Sequence, residues 1–129
     1  MAEAKEQAQE RLNELFQRRG YVVGFHKLMV QADPEWIERY DALIGHTYLD
    51  ERELDRKTKE LCQVVVLSAL RSDTDHIAAH VRQAIAHGAT EQEVLEALES
   101  VLALIGGLGF GAGLKAWANV VGLEELEPE

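Results

Sequence analysis

Apolar residues recur every three or four positions along most of this chain, the spacing of amphipathic helices and not of strands. Leu12, Leu15 and Phe16 stand among charged neighbours, which predicts a helix over residues 2–19 that stops at Gly20. The next segment, YVVGFHKLMVQA, has an extended-looking start, but its later residues favour a short helix over Phe25–Gln31. Asp33-Pro34 is a helix start, with Asp as N-cap and Pro at the first helical position. That helix runs to about Tyr48 and is expected to bury Trp36, Ile37, Tyr40, Leu43 and Ile44.

A polar connector, LDERELD, separates this part from the rest. Asp55 then caps a helix over Arg56–Leu70 whose centre, LCQVVVLSAL, is apolar nearly all round and so is expected to be covered on most faces. The three consecutive valines also fit a strand, but helical starts lie on both sides and no partner strand exists. Ser72 or Asp73 opens the next helix, which closes at His87-Gly88. Thr90 with Glu93 forms a capping box for a helix from Glu91 to about Ile105, with Val94, Leu95, Leu98, Val101, Leu102 and Ile105 inward. The glycine-rich run GGLGFGAG leads into a last helix through Trp117 to about Val121. An acidic tail fills 122–129. The pattern predicts an all-α chain of six or seven helices, in one domain over 1–129. Its central helices carry more apolar surface than a lone small bundle needs, and the excess reads as a subunit interface.

Composition removes several functions. The 13 Lys and Arg against 23 Asp and Glu give a net charge of -10, where a phosphate backbone requires a basic stripe, so no nucleic-acid partner is expected. No unbroken apolar run reaches the ~18 residues of a membrane span, and the charged first residues lack an apolar leader core, so a cytoplasmic protein without a membrane partner is expected. The single cysteine, Cys62, excludes an internal disulfide, a Cys-based zinc cage and a CxxC redox pair. It lies about 200° round its helix from Glu60 and is expected to be a buried, inert thiol.

The ionisable residues concentrate in RSDTDHIAAHVRQAIAHG, where His76, His80 and His87 share one helical face with Asp73. Glu60 lies on the preceding helix, which the short connection folds back alongside. A carboxylate and two imidazoles between apolar helices suit proton transfer, because burial raises a Glu pKa while His titrates near neutrality. Three other readings stand beside this one. His76 and His87 can be solvated, with His80 a hydrogen-bonded core residue. His76 and His80 with Glu60 or Asp73 can form a metal site, although no HExxH is present and no metal is expected. Glu60 can point to water in the first turn of its helix, favoured by the helix dipole. The glycines at 106, 107, 109, 111 and 113 suit close helix approach better than a phosphate loop, as no strand precedes them and no Gly-Lys-Ser/Thr follows.

The order of motifs resembles one family. LDRKTKEL, an apolar helix, HIAAHVRQAIAHGATEQEVLEAL and a Gly-rich helix start are similar to the carboxymuconolactone decarboxylase family, which includes alkylhydroperoxidase-like proteins. The likeness covers residues 50–121, and AAHVRQAIAHGATEQEVLEAL is its most specific stretch. It implies an all-helical fold and an obligate homo-oligomer, a homohexamer before a homotrimer. The family's peroxidase branch carries a Glu, a CxxC and a His four residues after the second Cys. Glu60 and His80 match the Glu and the His, whereas Asp73 and His76 stand at the two Cys positions. The Glu60 spacing is one residue longer than in the family, an excess the Leu70–Asp73 connection can absorb.

That departure shapes the implied chemistry. Thiol peroxidase action needs a thiolate and a resolving thiol, and neither is present. The decarboxylase branch lacks the CxxC and keeps the His. The resemblance therefore implies a lyase without cofactor that decarboxylates or moves a proton on a small carboxylate or lactone. Glu60, His80 and His76 would be its catalytic residues, and Asp73 a substrate contact. The acidic chain disfavours a dianionic substrate at long range. The alternatives are an alkylhydroperoxidase-like antioxidant protein and a ligand-binding oligomer without catalysis.

Overall fold

The computed structural model describes residues 1–129 as seven α-helices without strands. They are α1 (Ala2–Arg19), α2 (Gly24–Ala32), α3 (Pro34–Ile44), α4 (Arg56–Ala69), α5 (Thr74–Ala86), α6 (Glu91–Ser100) and α7 (Leu102–Val121). The helix from Pro34 does reach Leu49, but its last turn, Gly45–Leu49, is a π-helix. The contacts group into two compact units, Met1–Glu51 and Arg52–Glu129.

In the first unit α1, α2 and α3 close over Leu15, Val30 and Ile37. The predicted starts and stops are present. Gly20 ends α1 in the left-handed conformation (φ 84°), and the Asp33 carboxylate accepts from the Trp36 N–H to open α3. The predicted core is too large, however. Of the α3 set only Ile37 is fully buried; Trp36 and Leu43 are exposed, as is Phe16 on α1. A short three-helix unit has one apolar stripe per helix to cover, and neighbouring aromatics fall outside it. Trp36 stacks on Tyr40 instead, with ring centroids 5.1 Å apart.

The polar centre of this unit is Asp41, 1% exposed. Its carboxylate takes ion pairs from Arg11 (3.4 Å), Arg19 (3.3 Å) and Arg18, all on α1. A buried carboxylate is tolerable only when paired, and here three guanidinium groups pair it.

In the second unit α4, α5, α6 and α7 surround Val64, Ile77, Val81, Val94 and Leu98. The capping box of Thr90 and Glu93 forms as the sequence predicts. The α6 boundary differs. The helix ends at Ser100, α7 opens at Leu102, and Gly106 breaks α7 with φ 74° and ψ 173°, a conformation glycine alone adopts without strain. Leu102, read as inward, is therefore exposed, while Leu95, Val101 and Ile105 are half-buried. Glycine brings α7 against α4: a Cβ at Gly113 would collide with the Ser68 hydroxyl and lie 2.6 Å from Leu98 Cδ2.

One reading gains a qualification and one expectation is corrected. By length and composition α7 (20 residues, mean hydropathy 1.2) is long and apolar enough to cross a membrane, which a search for unbroken apolar runs misses because Gly and Lys115 interrupt it. It packs against α4, α5 and α6 through Gly109, Gly113 and Ala116, and only 17% of its apolar stretch is buried. Helix α4 is covered on one face only, through Glu60, Val64 and Ser68, and the opposite stripe of Cys62, Val66 and Leu70 is exposed. Cys62 is thus a surface thiol, because four helices in this unit are too few to enclose α4 on every side.

Candidate functional site

The site is built by the α4–α5 hairpin. Asp55 opens α4 by accepting from the Thr58 N–H at 2.7 Å; the hydrogen bond from the Thr58 side chain, then this backbone bond, hold the Asp55 carboxyl below its ordinary value. Glu60 consequently sits in the second turn, past the first-turn N–H groups that a solvated helix-dipole role would use. After Ala69 the chain turns through Arg71, a non-glycine residue in the left-handed region (φ 54°), with Ser72 N–H returning to the Leu67 carbonyl at 3.0 Å. Asp73 then caps α5, accepting from the His76 N–H at 2.8 Å. Contacts of Arg56 with Gln83 and of Glu60 with His80 follow the order of an antiparallel pair.

Glu60 is 0% exposed and His80 2% exposed. His80 Nδ1 and Glu60 Oε2 lie 2.7 Å apart, a short, charge-assisted distance. The other carboxylate oxygen, Oε1, accepts from Arg56 Nε at 2.8 Å. Arg56 Nη2 reaches Gln83 Oε1, one turn beyond His80 on α5, at 3.4 Å. Burial pushes the Glu60 carboxyl above its ordinary value, while the hydrogen bond and charge of His80, and more weakly the charge of His87, pull it back. Arg56 acts in the same downward sense, since an adjacent cation favours the carboxylate.

His76 is half-buried beside this pair, its ring centroid 5.4 Å from that of His80. Its Nδ1 lies 3.3 Å from Ser72 Oγ. Burial, then the charge of His80, hold the His76 imidazole below its ordinary value against the opposing pull of Asp73. A neutral ring offers a substrate a hydrogen bond and not a charge.

Of the residues read from the sequence, the structure brings together Glu60 and His80 and places His76 next to them. Asp73 is engaged at the helix cap, and His87 is exposed at the end of α5, with its Nδ1 2.9 Å from the Gln83 carbonyl. No group of three His, Cys, Asp or Glu side chains has the arrangement that holds a metal ion. The sequence reading missed Arg56 and Gln83. Arg56 carries a legible signal, since it precedes Glu60 by four residues on one helix. Gln83 has only its position three residues after His80.

The arrangement is a buried carboxylate aligned on an imidazole, able to hold, orient and move one proton. Residues 34–119, more than half of the chain, match the family described as carboxymuconolactone decarboxylase. No curated protein and no solved structure matches.

Proposed function

This chain belongs to the carboxymuconolactone decarboxylase family, and we propose that it is a lyase needing no cofactor, which decarboxylates or shifts a proton on a small carboxylate or lactone. The observation that carries the reading is the buried Glu60–His80 contact of 2.7 Å. Loss of CO2 from a lactone acid breaks a C–C bond and leaves its electron pair as a dienolate carbanion. His80, as imidazolium, delivers a proton to that carbon from Nε2 and is reprotonated by water. Glu60 stabilises the imidazolium through Nδ1–H, and His76 donates a hydrogen bond to the substrate carboxylate. Asp73 tunes His76 from the helix cap. The exposed stripe of Cys62, Val66 and Leu70 on α4, with Leu104 (86% exposed) and Leu108 on α7, supports a homo-oligomer, since monomers rarely present so much apolar surface.

The test is a panel of small lactone acids and carboxylates followed by CO2 release, with light scattering in parallel. His80→Ala is expected to abolish turnover and to leave the assembly size unchanged. Equal loss of both would make His80 structural. A hydroperoxide-reducing activity that disappears in Cys62→Ser would replace this reading with the peroxidase one.

A further inference from the structure

The 2.7 Å contact of His80 Nδ1 with Glu60 Oε2 admits two proton arrangements. In one, Nδ1–H donates to a carboxylate and Nε2 carries a lone pair. In the other, a carboxylic acid donates to Nδ1 and the proton on the ring sits at Nε2. Both have the same atoms, the same total charge and the same heavy-atom distance. They differ in what Nε2 presents: in the first a base, which takes a proton from water to become the imidazolium that donates from Nε2, and in the second only the weakly acidic N–H of a neutral imidazole.

One determinant of the choice is what the second carboxylate oxygen meets. Glu60 is fully buried, which favours the neutral acid. Against that stands Arg56, whose Nε–H donates to Oε1 at 2.8 Å from a side chain only 16% exposed. A guanidinium does not give up its proton in proteins, so this contact favours the anion at every working pH. The guanidinium is also tied across the hairpin. Gln83 Oε1 accepts from Nη2 at 3.4 Å, and Gln83 stands on α5 one turn from the imidazole. The group that fixes the charge on Glu60 is thereby anchored to the helix that carries His80.

We propose that Arg56, steadied by Gln83, is a positioning residue that commits the shared proton to His80 Nδ1 and so makes Nε2 the basic nitrogen of the site. The inference rests on the reading of His80 as the proton-transfer group, but its test does not pass through turnover. The full chain is labelled with 15N, and two-bond proton–nitrogen spectra are recorded above the ordinary imidazole titration range, with His80 assigned by its loss in His80→Gln. The wild-type ring is expected in the Nδ1–H tautomer. Arg56→Gln shifts the tautomer ratio about tenfold towards Nε2–H, the size expected for losing one charge-assisted hydrogen bond. Arg56→Lys, which keeps the charge, restores Nδ1–H. Gln83→Leu, which removes the anchor and keeps the guanidinium, moves the ratio the same way by a smaller factor and serves if Arg56→Gln does not fold. A wild-type ring in the Nε2–H form, an unmoved ratio in both neutral variants, or a Lys variant that behaves like Gln overturns the proposal. A chain with the stated tautomer and no turnover keeps this inference and fails the proposed reaction.

Discussion

Asp41 and Glu60 are both carboxylates removed from water, 1% and 0% exposed, and each is held by ion pairs. Their company separates them. Asp41 meets three guanidinium groups, whose protons are permanent, so the cluster holds charge but cannot pass it on. Glu60 shares its two oxygens between one guanidinium and one imidazole. The first contact fixes the charge, and the second gives the proton somewhere to go. A buried acid is therefore no sign of chemistry by itself; a partner that titrates near neutrality is.

This contrast can be broken most severely at Asp41. Asp41→Asn leaves three cations around a neutral amide, one of them the buried Arg19, and is expected to cost the first unit about 3–5 kcal/mol in urea unfolding. Glu60→Gln should cost less, about 1 kcal/mol, because the amide oxygen still accepts from Arg56, the amide NH2 can donate to His80 Nδ1 once the ring proton moves to Nε2, and the burial penalty of a charge disappears. Equal costs would erase the distinction between the two sites. The same variant has a pH signature. The folded Glu60 pKa lies above the ordinary 4.5, so the folded chain keeps this proton after the unfolded chain has released it. Stability accordingly declines as pH rises from 4.5 through the folded value, and Glu60→Gln removes that part of the decline. The smallest effect belongs to His76. Its folded pKa lies below the ordinary 6.5, so its stability contribution is present above 6.5 and is lost as pH falls through the folded value. His76→Gln flattens that slope in thermal unfolding scans; an unchanged slope would mean that His76 is not coupled to the site.

The Glu60–His80 meeting was legible mainly through the family resemblance, which matches both residues; the short connection folds the two apolar helices together and a carboxylate inside that contact needs a partner, but spacing alone left the other readings open. Helix starts were legible for a similar reason: Asp33, Asp55, Asp73 and Thr90 each satisfy a backbone N–H in the first turn, a local matter. What stayed hidden depends on how many neighbours a helix receives. Val66 and Leu70 look like core from their composition and are surface in a four-helix unit. The break at Gly106 was hidden by the same indifference of local sequence, since glycine tolerates both a straight helix and a φ of 74°. The arginine cluster on Asp41 left no trace in periodicity, because its members lie 22 to 30 residues away.

Those separations also set an order of events when the chain folds. Asp41 can find its arginines only after α1 has returned to α3, which requires closing loops of 22 to 30 residues. Arg56 and Glu60 lie four residues apart on one helix, so their pair can form as soon as that helix does, on a timescale of about a microsecond. Glu60 then reaches the α4–α5 contact already escorted by its cation, and the hairpin never has to close over a bare negative charge. The guanidinium that sets the proton in the finished site is the one that brings the carboxylate in.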